Sequence, residues 1–153
     1  MATDKFSTYS LLLDRTAKRV KQYAQFCFNT QNFGVTVDQW TVLKTLGQHA
    51  DLSQRELAGF CQKDQPTLTR IVDLLVAKGL VKRKVHPNDR RSFILHLTSE
   101  GKQKVEELSG KVTDIRMTAW QNLDESDFET LKRILNTIYE NLDLARTANI
   151  KSE

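Results

Sequence analysis

Residues 64–91 read Asp64-Gln-Pro-Thr-Leu-Thr-Arg70-Ile-Val-Asp-Leu-Leu75-Val-Ala-Lys-Gly79-Leu-Val-Lys-Arg83-Lys-Val-His-Pro87-Asn-Asp-Arg-Arg91. The period changes inside this stretch. Leu68, Ile71, Val72 and Leu75 recur at helical spacing, whereas Val81, Arg83 and Val85 alternate by two. Asp64 can cap the helix, Pro66 falls in its first turn where a missing amide proton costs little, and Gly79 ends it. Ser92 to Leu97 alternates again, with Phe93, Leu95 and Leu97 on one side, so two strands enclose His86–Arg91. This predicts a hairpin whose basic six-residue loop is longer than a tight turn and projects. The outward side of the helix carries Gln65, Thr67, Thr69, Arg70 and Asp73.

Upstream, Ser53-Gln-Arg-Glu56 is a capping box that opens a short helix from Gln54 to about Cys61, with Leu52 as its staple. Thr36-Val-Asp-Gln39 is a second capping box before a helix from Trp40 to Gln48, and Asn32-Phe-Gly34 marks a break ahead of it. The first helix is expected from about Thr3 to Asn29, with Phe6, Leu13, Ala17, Val20, Ala24 and Cys27 on its apolar side. Downstream, Thr98 caps a long helix with a narrow seam of Val105, Leu108, Val112, Ile115 and Ala119. Asp124 starts the last helix, whose seam is Phe128, Leu131, Leu135, Ile138 and Leu142, widened by Ile134 and Tyr139.

Three helices, a two-stranded hairpin and long helices at both ends have the order of a winged helix-turn-helix. The fold class is therefore mainly α with a small two-stranded β wing. Residues 36–102 are expected to form the DNA-binding domain, and 1–35 with 103–153 a helical dimerisation region. The terminal seams lie outside a winged helix that already has its own core, so they need another surface. A two-fold pair would bury them and set two recognition helices about 34 Å apart, one duplex turn. The alternative packs both helices onto their own subunit.

Composition agrees with a well-ordered helical domain. The chain has 153 residues, 27% charged and 39% hydrophobic, with only six Gly and two Pro. A chain of this length buries enough surface to fold without disulfide staples. Cys27 and Cys61 stand far apart in no metal spacing, so no zinc or other cofactor is expected. No apolar run approaches a membrane span and the first residues lack a signal-peptide core, which predicts a soluble cytoplasmic protein. No Gly-rich phosphate loop, nucleophile elbow or His-Glu-any-any-His is present, and His49, His86 and His96 have no metal or nucleophile pattern around them. A binding protein is expected rather than an enzyme.

Charge is unevenly spread. Ser53 to Arg91 carries nine Lys or Arg against four Asp or Glu, while Trp120 to Glu153 carries four against seven. A basic middle suits a polyanion, and a scattered basic surface on a soluble domain is the alternative. The outward side chains point to a duplex: Gln pairs bidentately with adenine, Arg with guanine, and Thr meets a base edge or a thymine methyl. An ordinary solvated face is the competing reading. A winged helix used only for protein contacts would tolerate an uncharged wing, which Asp89-Arg90-Arg91 is not.

Leu52-Ser-Gln-Arg-Glu-Leu-Ala, Thr67-Leu-Thr-Arg-Ile-Val-Asp-Leu-Leu75, Lys78-Gly-Leu-Val-Lys-Arg83 and Asn88-Asp-Arg-Arg-Ser-Phe-Ile-Leu-His-Leu-Thr-Ser-Glu-Gly101 resemble the MarR family, closely over roughly residues 36 to 110. The terminal helices match in length and amphipathic character alone. The resemblance implies a homodimeric transcriptional regulator, usually a repressor, released from double-stranded DNA by a small aromatic or anionic effector. In one branch release follows thiol oxidation. It places the family's wing motif on Asp89 and Arg91, with Arg90 between them. Such wing arginines enter the minor groove while the Asp fixes the loop or the guanidinium. Arg83 closes the Gly-Leu-Val-any-Arg position, either as a phosphate contact or as a salt bridge under the hairpin. Ser53 and Gln54 are expected to meet phosphate through the free amides of their helix start. An inverted-repeat operator follows from the two-fold.

Two further candidates are weaker in pattern. Tyr23, Phe26 and Trp40 are expected to line an effector crevice between the terminal helices and the winged helix, or else to be core. Cys27, on the apolar seam of helix one with Tyr23 one turn earlier, is either a small hydrophobe or a redox-sensing thiol.

Overall fold

The computed structural model describes residues 4–150, so Thr3 and the terminal charges of Lys151 and Glu153 lie outside it. Its elements run α1 (Lys5–Thr30), α2 (Val37–Gln48), β1 (Leu52–Ser53), α3 (Gln54–Phe60), α4 (Gln65–Ala77), β2 (Val81–His86), β3 (Asp89–Leu97), α5 (Ser99–Ala119) and α6 (Glu125–Ile150). Two compact units divide between Arg116 and Met117.

The helix starts follow the caps written in the sequence. Thr36 and Gln39 form a reciprocal capping box for α2, as do Ser53 and Glu56 for α3. Asp64 caps α4 through the Thr67 amide at 2.7 Å, and Thr98 accepts from the Gly101 amide at 3.0 Å at the start of α5. α2 begins at Val37, directly after its cap, three residues before the expected start. At the end of α4, Gly79 takes a φ of +72°, a left-handed conformation that costs glycine little.

The sheet has three strands in the order β1-β3-β2, one more than the two expected. Leu52 pairs with Leu95 and Ser53 with Ile94. Two residues are too few to show a strand period, so β1 reads in sequence only as a staple and a cap. In the hairpin Val81 faces Leu97, Arg83 faces Leu95 and Val85 faces Phe93, the expected alternation. The expected six-residue loop is corrected: His86 pairs with Asp89, leaving Pro87-Asn88 as the turn. Polar side chains let the strands continue this far. The Asn88 amide donates to His86 Nδ1 at 3.1 Å and the Arg91 amide donates to Asp89 Oδ1 at 2.9 Å.

The core of the first unit joins Trp40, Leu43, Leu57, Leu68, Leu75 and Leu95 with Phe28 from α1 and Leu108, Val112 and Ile115 from α5. Of the expected terminal seams, the middle of α5 thus packs against the core of its own unit. The cause lies at the β3–α5 junction. Thr98 donates its hydroxyl to Gly79 O at 2.6 Å and its amide to Leu80 O at 3.1 Å, turning the chain back. Gly101 then passes so close to Leu80 that an added Cβ would stand 2.1 Å from the carbonyl oxygen. Toward its other end α1 is uncovered: Phe6, Tyr9, Leu13 and Val20 are exposed, and Cys27 and Phe28 are its buried residues.

In the second unit Asp124 and Asp127 cap α6 reciprocally, each carboxylate accepting from the other's amide at 3.0 Å. Trp120 and Phe128 meet edge to face, 5.9 Å between centroids. Ile134, Leu135, Ile138 and Leu142 are exposed, and no residue of α6 is buried.

Candidate nucleic-acid interface

α3 and α4 form the helix pair, joined by a turn in which Gln62 adopts a φ of +53°. α4 turns Leu68, Ile71, Val72 and Leu75 into the core, which leaves Gln65, Pro66, Arg70 and Asp73 exposed on the other side. The Asp64 cap draws its carboxyl below the usual carboxylate range, chiefly through the Thr67 amide and hydroxyl and further through the charge of Arg70. Thr67 and Thr69 are less free than their outward positions suggest. Thr67 donates its hydroxyl to Asp64 Oδ2 at 2.9 Å, and Thr69 donates to Gln65 O at 2.9 Å while accepting from the Gln54 amide. Gln54 thus ties α3 to α4.

At the start of α3 the Ser53 hydroxyl accepts from the Glu56 amide, and the Ser53 amide donates to Glu56 Oε2 at 2.8 Å. The Ser53 amide, with the Ser53 hydroxyl beside it, holds the Glu56 carboxyl below its usual range. Of the two residues expected to meet phosphate, Ser53 has its amide bonded to the Glu56 carboxylate and Gln54 turns its side-chain amide to Thr69. Exposed Arg55 supplies a cation one turn position away.

On the wing, Lys82, Lys84, Asp89, Arg90 and Arg91 are exposed. Asp89 holds the Arg91 backbone amide, so it orders the turn rather than a guanidinium. Of the two roles open for Arg83, the geometry has the ion pair: its guanidinium binds Asp73 Oδ1 of α4. Ten residues separate the two, and nothing in their spacing marks them as partners. A second unforeseen group is Asp38, bonded by Lys21 of α1 at 3.0 Å and by Lys63 of the α3–α4 turn at 2.9 Å. The two ammonium groups outweigh the upward push of partial burial and hold its carboxyl below the usual range.

The three effector candidates are not brought together as a crevice. Trp40 is 1% exposed in the core, whereas Phe26 is 66% and Tyr23 39% exposed on α1. A groove of about 450 Å³ lies instead between the end of α2, β3 and α5, with Leu46, Leu97 and Val105 on its apolar side and His96, Lys102 and Glu106 among its polar residues. There His96 Nδ1 lies 3.3 Å from Asp51 Oδ1. Cys27 is buried in the core, in the setting of a small hydrophobe. Cys61 is buried too, its thiol 3.7 Å from the Thr45 hydroxyl, and burial pushes its pKa up. Among the described residues no cluster of His, Cys, Asp and Glu could hold a metal ion, and no helix is long and apolar enough to cross a membrane.

A helix pair with an exposed Gln and Arg face, followed by a two-stranded wing with a basic edge, defines a winged helix-turn-helix protein. Residues 35–93 match the family model described as MarR family. The multiple antibiotic resistance protein MarR of Escherichia coli is 31% identical over 105 residues, 68% of this chain and 73% of that protein. The transcriptional repressor IacR of Pseudomonas putida is 26% identical over 107 residues, 70% of this chain and 64% of that one. Among solved structures, S. aureus MepR in its DNA complex superposes with a TM-score of 0.79 at 27% identity, covering 87% of this chain and 97% of that one. The chain belongs to the MarR family.

Proposed function

We propose that this protein is a sequence-specific, homodimeric transcriptional regulator that represses by binding an inverted-repeat operator. The observation that carries the reading is the outward face of α4, where Gln65 and Arg70 stand exposed opposite a fully buried Leu68-Ile71-Val72-Leu75 face. Gln and Arg are the side chains that pair bidentately with adenine and guanine in the major groove. The exposed wing arginines, Arg90 and Arg91, add contacts that a helix alone lacks. The DNA complex of MepR and the repressor name of IacR support the same assignment.

Residues 36–102 are assigned to DNA and the terminal helical region to pairing. Within that region the exposed stripes of α1 and α6 carry the role, since the middle of α5 is spent on its own core. Two recognition helices related by a two-fold then meet successive major grooves about 34 Å apart. A small aromatic or anionic effector releases the complex. The groove beside Lys102 and His96 is of small-molecule size, and Lys102 stands there with the carboxylates of Asp51 and Glu106. The protein acts in the cytoplasm and carries no cofactor.

Selection from a random duplex pool, followed by affinity measurements across salt, tests the assignment. A recovered inverted repeat bound far more tightly than random duplex is the expected result. Equal affinity for both removes sequence-specific regulation.

A further inference from the structure

Pro66 is exposed in the first turn of α4, four residues before Arg70. That spacing places the two side chains on one face of the helix, opposite the buried leucines. The helix start does not depend on it, because Asp64 already accepts from the Thr67 amide. Hydrogen-bonding capacity beside it is limited, since the Thr67 and Thr69 hydroxyls donate to Asp64 and to the Gln65 carbonyl. Gln65 and Arg70 remain as the exposed hydrogen-bonding side chains of the first two turns, and a rigid apolar ring stands between them.

Only thymine presents an apolar group, the C5 methyl, on the major-groove edge of a base pair. Helix-turn-helix proteins meet base edges through the first residues of the recognition helix. We infer that Pro66 is a specificity residue whose ring packs on the methyl of a thymine next to the base pair met by Arg70, setting a preference for thymine over cytosine there in each half-site. This rests on the proposal that α4 is the DNA-reading helix. A proline ring loses no side-chain rotamer freedom when it is buried, so the contact is retained nearly in full. One buried methyl corresponds to roughly a fourfold change in affinity.

The test replaces each thymine of the selected duplex singly by deoxyuridine, which removes the C5 methyl and nothing else, and measures affinity by fluorescence anisotropy with the full chain. One thymine per half-site should cost roughly fourfold for the wild type. That loss should vanish in Pro66→Ala and persist in Arg70→Ala, with thermal melting confirming that both variants fold. If no thymine is sensitive, or if the sensitivity survives Pro66→Ala, Pro66 does not read a methyl. A chain that selects no duplex at all overturns the DNA-binding proposal itself, which is a separate outcome.

Discussion

Arg83 on β2 and Asp73 on α4 form an ion pair that joins the wing to the helix proposed to read DNA. Asp73 is largely exposed while Arg83 is mostly covered, so the pair adds little to stability, at most about 1 kcal/mol. Its consequence is for binding. Asp73→Asn frees a guanidinium at the edge of the interface, and a freed cation is available to phosphate. The slope of log affinity against log salt should steepen by up to about 1, while the preference for the selected duplex over random DNA falls. An unchanged slope and preference would show that the pair does not position the wing.

Gly101 offers a direct test of how α5 is held. Its Cβ would stand 2.1 Å from the Leu80 carbonyl oxygen, and backbone cannot yield as a flexible side chain can. Gly101→Ala should therefore destabilise by about 1–3 kcal/mol, visible as a lowered Tm. Gly59 and Gly110 have open space around the same position, so alanine there should be tolerated.

The terminal helices can be separated by substitution. Leu108 is fully buried in the first unit, and Leu108→Ala should cost about 2–5 kcal/mol of stability. Leu135 is 39% exposed on α6 and should behave differently if it pairs subunits. Leu135→Glu should convert a dimer into a monomer in equilibrium sedimentation at micromolar concentration and lower DNA affinity, since a monomer gives up the second half-site. A wild-type chain that sediments as a folded monomer at that concentration would sink the pairing proposal.

What was legible in the sequence was local. Asp64, Ser53 and Thr36 cap their helices within three residues, so each start can be read from a short window. The α4 core face follows from periodicity alone. Contacts across the chain were not legible: Asp73 with Arg83, Asp38 with Lys63 and Gln54 with Thr69 join charges or amides at spacings of no helical or strand period. The same holds for β1, which becomes a strand only because β3 lies beside it. At the candidate interface the exposed Gln65, Arg70, Arg90 and Arg91 were foreseen by residue, whereas the prior engagement of Thr67 and Thr69 hydroxyls was not. For Trp40 both a crevice and the core were open, because periodicity shows that an aromatic faces inward without showing whether a cavity lies there, and it is core.

The shortened wing turn changes what Arg90 and Arg91 should do. With six residues in a loop, both side chains would reach DNA alike. In the structure they are consecutive residues of β3 at a bulge, where Val85 pairs with Phe93 and His86 with Asp89, so residues 90–92 are skipped by the register, and Asp89 holds the amide of Arg91 but not that of Arg90. A bulge re-aims side chains individually, so the two arginines are expected to meet phosphate unequally when α4 lies in the major groove. Both residues are exposed, so replacing either should leave the fold intact. The double variant Arg90→Ala with Arg91→Ala should weaken binding and reduce the salt slope by about 1, close to the roughly 0.9 of one neutralised phosphate rather than two. One single variant should account for most of that change, and the loss should be greatest on sites with A·T-rich flanks, where the minor groove is narrow. Asp89 enters through the backbone, because its carboxylate holds the Arg91 amide at 2.9 Å. Asp89→Ala should therefore weaken binding, by less than the double variant, even though it removes a negative charge from a surface facing phosphate. Affinities at several salt concentrations for the three variants decide the matter: equal effects of the two single arginine changes would restore a flexible tip, and tighter binding by Asp89→Ala would mean that its charge outweighs its hold on the turn.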